Sequence, residues 1–528
     1  CSEIIKKSAK GRQEHMAITT FAAIYIGSYE VSLKIFELSG KKKIREIDHI
    51  RTRLELGRDT FHSGVIGPDL IDELCAILAD FAGIMQGYKA KEYRAFAGNV
   101  VGEAKNMLFI VDQIKTKTGL DVATLSNSER RFLTYKGVAA RNGFEKMTKD
   151  SAAVIDVGGG SLQITLFING RVVTTQHLAI GTMRLMEMLS GIEHNVLHLE
   201  NQLEELVDKE LAVFLAQYMH PDEKIKNVIL MGDYISEIMR KITKNGEDMN
   251  TVEAERFISF LNKLDKKSVE EISEALNLSN EKDILVLPSV ILYAKLTKAM
   301  HAQTIWFPDV DTSDGIAYDY AQSHKIVHCT HDFDEDILSA AKNMSMRYMS
   351  YSQHIDALTD MASLLFDAMK KIHGMGKRER LLLKVAAILH DCGKYISIAN
   401  SAICAYQIIR ATEIIGLTHL EREMVASVVL YNSTPLDPYE ELADRMDCRS
   451  YMVVAKLAAI LKVANAMDRS HRQKFKNVKA VIKNKQLVIT IESMNDIALE
   501  KGLLAAKADS FEGIFGLKPV IKEKRVYL

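Results

Sequence analysis

The sequence predicts an α/β protein of two similar lobes, followed by an all-helical domain and a small α+β module. Three observations carry that expectation. A hairpin with a glycine turn occurs twice, 131 positions apart, with short apolar strands and amphipathic helices alternating around both copies. Near residue 323 the apolar period becomes helical, and near residue 474 it returns to the two-residue alternation of strands. The boundaries that follow are 17–138, 139–322, 323–473 and 474–528. At 528 residues the chain is too long for one core, and several domains are expected on length alone.

The better-defined hairpin is Ala153-Val154-Ile155-Asp156-Val157-Gly158-Gly159-Gly160-Ser161-Leu162-Gln163-Ile164. Glycines let main-chain N–H groups approach a phosphate closely, Ser161 adds a hydroxyl, and Asp156 can hold a metal or a water against the anion. The same glycines also suit a tight hairpin for its geometry alone. Phe21 to Phe36 overlays Ala152 to Phe167 without a gap, matching Gly27 to Gly158 and Ser28 to Gly159. Two such hairpins on facing lobes form a cleft that can grip a chain of anions from both sides.

In chain order, residues 1–15 read as an extension ahead of a natural start at Met16. Thr19 to Ile50 alternates as strands, with a turn at Ser39 to Lys43. Arg51, Arg53 and Arg58 then suit either phosphate oxygens or a solvated loop. Asp69 to Gln86 is an amphipathic helix, Tyr93 to Ala97 a short strand, and Gly98 to Asn106 a turn opening a helix. Val122 to Leu125 is a strand feeding a helix that begins at Ser126. Glu129 in its first turn complements the helix dipole by position alone. The second lobe continues with Gln176 to Ile180, helices through Met219, a buried strand at Val228 to Asp233, helix from Val252 to Leu278, and Thr304 to Val310.

A polar hinge, Ser323 to Asp336, leads into the helical domain. There His354, His390-Asp391 and Asp468 can place imidazoles and carboxylates on facing helices, a donor set for a divalent metal. A buried hydrogen-bonded pair without metal is the alternative. Val478 to Ile482 and Leu487 to Ile491 form a hairpin turning at Asn484-Lys485, followed by a helix to Phe515 and a strand from Lys518 to Lys524.

Ile26-Gly27-Ser28, Ala104-Lys105-Asn106, Ser126 to Val138, and above all Asp156 to Ser161 give the chain a resemblance to the exopolyphosphatase and guanosine pentaphosphate phosphohydrolase (Ppx/GppA) family. The resemblance implies two actin-like (ASKHA, ribonuclease H-like) lobes and an HD-like helical domain, with His354, His390, Asp391 and Asp468 in the order of an HD metal site. It implies a phosphohydrolase that releases terminal phosphate from inorganic polyphosphate, or from guanosine penta- or tetraphosphate. Glu129 takes the place of the catalytic glutamate, Asp156 holds Mg²⁺, and Gly27, Ser28, Gly158, Gly159, Gly160 and Ser161 bind phosphate. A homodimer is also implied. The chain departs from the pattern where Tyr25 replaces an acid, where Tyr29 and Glu30 replace small polar residues, at Gly98 to Gly102, and at Arg130, where the family has a second Glu. Those departures favour the alternative of a non-catalytic binder of a phosphate-rich ligand.

Composition limits the remaining classes. With 68 Lys+Arg against 69 Asp+Glu, no global charge steers the chain to nucleic acid or to a membrane surface. Six scattered cysteines (Cys1, Cys75, Cys329, Cys392, Cys404, Cys448) and 23 methionines suit a reduced cytoplasmic interior. No apolar run reads as a membrane span.

Overall fold

Period-two alternation makes Thr19–Ile26 (β1) and Glu30–Ser39 (β2) strands, and the polar Gly27 to Tyr29 turn between them closes an antiparallel hairpin pairing Ile26 with Val31. The computed structural model describes residues 19–39, 43–190, 199–219, 224–243, 250–278, 283–328 and 331–525. The expected start at Met16, the centre of the Ser39 to Lys43 turn, Cys1 and Cys329 lie outside them. Two compact units divide the chain, Cys1–Ile164 with His177–His331, and Thr165–Gln176 with Asp332–Leu528.

In the first unit, Lys43–Arg53 (β3), Glu92–Ala97 (β4) and Val122–Thr124 (β5) complete a sheet of order β3-β2-β1-β4-β5. Ser151–Val157 (β6), Leu162–Ile168 (β7), Arg171–Leu178 (β8), Asn227–Gly232 (β9), Thr251–Glu253 (β10) and Thr304–Trp306 (β11) form a second sheet of order β10-β11-β9-β6-β7-β8. The order repeats: each hairpin strand has its hairpin partner on one side and a parallel strand on the other, β4 beside β1 and β9 beside β6. That is the actin-like two-lobe arrangement. Phe21, Ala22, Ile24 and Ile26 on β1, and Ala153, Ile155 and Val157 on β6, are fully buried, as strands covered on both faces require.

Two expectations are corrected here. Arg51 and Arg53 belong to the end of β3, paired with Ser32 and Glu30, because the strand runs past Ile50 instead of breaking into a loop. Val252 is a strand residue, and helix begins at Ala254, where β10 pairs with β11. The helices Asn127–Ala139 and Thr312–Ser323 cross closely where Gly137 meets Gly315; a Cβ on Gly137 would lie 2.8 Å from Val310 and 3.1 Å from Gly315 N.

The second unit contains the Thr165–Gln176 part of the β7–β8 hairpin, the helical region and a three-stranded sheet. Lys476–Lys483 (β12) and Gln486–Ser493 (β13) turn at Asn484 and Lys485, whose φ angles of 49° and 57° give the turn that twisted hairpins favour. Lys518–Arg525 (β14) adds parallel to β13 after the helix Ala498–Phe515. The helix Cys448–Met467 is long and apolar enough to cross a membrane, but 72% of its apolar window is buried inside the protein, so it serves as a core helix.

Candidate functional site

The glycine turns of the first unit open onto a cleft of about 510 Å³ lined by residues of both lobes, among them Gly27, Ser28, Arg51, Arg130, Asp156, Gly158 to Ser161, Arg184 and Asp233. In the turn after β6, Gly158 N donates to Ser161 O. The carbonyls of Gly158 and Gly159 accept from Thr182, Met183 and Arg184, which caps the helix Thr182–Ser190. The N–H groups of Gly159 and Gly160 have no acceptor among the described residues, and neither has that of Ser28. Close packing explains the glycines: a Cβ on Gly159 would lie 2.8 Å from Ser28 Oγ, and one on Gly160 would lie 2.9 Å from Phe61.

The expected catalytic pair separates. Glu129 does not line the cleft. Its Oε2 accepts from Ser126 N at 2.9 Å and from Ser126 Oγ at 2.7 Å, while Glu129 N donates to Ser126 Oγ, a reciprocal capping box. This corrects its expected place: the carboxylate holds the helix start. Arg130, one residue on, reaches into the cleft, where its Nη2 donates to Asp156 Oδ2 at 2.8 Å. Both side chains are nearly buried, 14% and 10% exposed, so little solvent screens the pair. The next residue, Arg131, donates from Nη2 to Ser161 Oγ at 2.7 Å.

Tyr25 occupies the position equivalent to Asp156. Burial raises its pKa, so it stays a neutral phenol. Gly98 is its complement, since a Cβ there would overlap the Tyr25 hydroxyl. The Tyr29 hydroxyl donates to Asp283, and Arg53 lies over the Tyr29 ring. Mg²⁺ on Asp156 does not fit this donor set. Hard divalent cations take several oxygens, whereas the Asp156 carboxylate already faces the Arg130 guanidinium and the equivalent position of the first hairpin holds a phenol.

Asp233, expected at the end of a buried strand, directly follows β9. Burial, then the charges of Glu30 and Asp156, push its carboxyl up to about 7 against the pull of Arg51 and Arg130. The unfolded chain releases this proton near 3.8 and the folded chain holds it to about 7, so stability falls as pH rises between those values. Asp233→Asn should therefore raise the melting temperature at pH 8 by on the order of a few degrees and change it little at pH 4. Equal shifts at both pH values would refute the assignment.

In the second unit, ligand atoms of His354, His390 and Asp391 lie within 4.8 Å of one another, all buried. His354 Nδ1 bonds Asp468 Oδ2 at 2.8 Å, and Asp468 is fixed in turn by Gln473 N and Nε2. His354 Nε2 is then a lone pair, buried without a partner. His390 Nδ1 bonds the Ala387 carbonyl at 2.8 Å, which makes Nδ1 the donor and Nε2 a second lone pair. That atom faces Asp391 Oδ1 at 3.2 Å. Burial lowers the His390 pKa to about 4, so the ring is neutral. Three acceptors converge with no donor between them, an arrangement that a cation resolves. Asp468, expected as a ligand, instead orients His354, and Lys394 does the same for Asp391 Oδ2 at 2.6 Å.

Comparison with known proteins adds the following. A family model described as the Ppx/GppA phosphatase family matches residues 35–324, and one described as Ppx/GppA phosphatase, domain III, matches residues 338–509. A bifunctional 3-dehydroquinate synthase/phosphatase of Fusobacterium nucleatum is 25% identical over 175 residues, 31% of this chain and 26% of that protein. Exopolyphosphatase 1 of Mycobacterium tuberculosis is 24% identical over 160 residues, 30% of this chain and 46% of that protein. The matches thus span at most about half of these relatives. The crystal structure of an exopolyphosphatase from Cytophaga hutchinsonii covers 59% of this chain and 100% of its own, at a TM-score of 0.51 and 15% identity, a likeness of fold.

Proposed function

The chain belongs to the Ppx/GppA phosphatase family, and from that premise we propose that its cleft binds a phosphoanhydride chain, inorganic polyphosphate or guanosine penta- or tetraphosphate, as a binder before it is a hydrolase. The observation that carries this reading is the junction of two features. Main-chain N–H groups of Gly159 and Gly160 stand open beside Ser161, while Arg130 closes Asp156. Open N–H groups on a glycine turn suit phosphate oxygens. Activating a water needs a base within reach of it, and Glu129, whose Oε2 is held in the capping box, does not line the cleft.

Release of terminal phosphate is the second reading, favoured by family membership and by relatives that carry exopolyphosphatase and phosphatase names. The two separate in one experiment. Polyphosphate should bind the full chain saturably without losing phosphate; binding accompanied by steady release selects the hydrolase. In the helical region the same proposal assigns one divalent transition metal to His354 Nε2, His390 Nε2 and Asp391, a His₂-carboxylate set with room for further ligands.

A further inference from the structure

We infer that the cleft takes its phosphate chain without a divalent cation, and that the Arg130 guanidinium is the built-in positive charge of the site. The inference rests on the reading of the cleft as a phosphate-binding site and states what neutralises the ligand there. Arg130 uses one N–H on Asp156, 2.8 Å away, and its other donors have no acceptor among the described residues. It lines the same cleft as the Gly158 to Ser161 turn. A guanidinium fork and backbone N–H groups together satisfy phosphate oxygens as a metal would, at fixed positions and with no ion to recruit.

Asp156 is paired with Arg130, and the equivalent position of the first hairpin holds Tyr25, a buried neutral phenol, in place of a second carboxylate. A cation on Asp156 Oδ2 would displace the Arg130 N–H that this oxygen accepts, and both side chains are largely buried. The exchange of an acid for Tyr25 and the presence of Arg130 are thus one change read twice: a cation site rebuilt with a resident cation.

The test is equilibrium binding of long-chain inorganic polyphosphate to the full chain in buffer free of divalent cations and in buffer with Mg²⁺. Affinity should be no weaker without Mg²⁺. Arg130→Met should weaken it at least tenfold in both buffers, and the Arg130→Met/Asp156→Asn double variant, which leaves no unpaired buried charge, should be equally weak. Asp156→Asn alone removes an acid facing the chain and should bind more tightly, whereas a metal-holding Asp156 would make that variant weaker. Binding seen only with Mg²⁺, or an Arg130→Met variant as tight as wild type, overturns the inference and leaves the phosphate cleft standing. No binding in either buffer fells the cleft reading itself.

Discussion

Gly181→Ala should cost on the order of 3 kcal/mol and abolish polyphosphate binding. A Cβ at Gly181 would overlap three backbone atoms, Ser161 N, Gly159 O and Gly158 O, none of which can rotate away as a side chain can. Either the glycine turn moves or the helix Thr182–Ser190 loses the carbonyls that cap it. Gly158→Ala is the contrast for stability, since its added Cβ would meet only Ser161 O, at an ordinary 3.5 Å. Urea unfolding midpoints of the two variants check this. Equal stability for both would mean that the turn is loose and not a rigid cradle.

The second large effect is expected in the helical region. Protein purified without chelators should carry close to one equivalent of transition metal, and His390→Ala should carry almost none. Asp468→Asn should weaken metal binding roughly 10–100-fold although Asp468 is not among the converging ligands, because it fixes which nitrogen of His354 faces the metal. Metal should also raise the melting temperature, as any ligand of the folded state does. Elemental analysis that finds no metal in wild type would leave the three converging acceptors as a buried hydrogen-bonding defect.

Much of the architecture was legible because it depends on period and punctuation. The repeated hairpin sits in two sheets that share a five-strand order, the second extended by β10, and Asn484-Lys485 marks a turn whose positive φ those residues carry. What escaped depends on direction. Successive residues on a helix point about 100° apart, so whether Glu129 or Arg130 faces the cleft is decided by how the helix Asn127–Ala139 docks on Thr312–Ser323, which no local pattern states. Ser126 with Glu129 did carry a capping-box signal, Ser-x-x-Glu before a helix, and that signal could have been weighed above the resemblance. Tyr25 and Gly98 form a complementary pair 73 positions apart, visible only once β1 and β4 lie side by side. Asp468 was legible as part of the metal cluster but not as its support, since a carboxylate on a metal and one behind a histidine have the same sequence. Arg51 and Arg53 suit a phosphate contact or a solvated loop by sequence, and their pairing with Ser32 and Glu30 of β2 makes them strand residues.

The most direct test of the central claim, a cleft that holds a phosphoanhydride chain and does not cut it, records occupancy and phosphate release in one sample of wild-type full chain with long-chain polyphosphate and Mg²⁺. Saturable occupancy with the bound chain retaining its length is the predicted result. Phosphate release that rises with occupancy, persists through many turnovers and disappears in Asp156→Asn would contradict it.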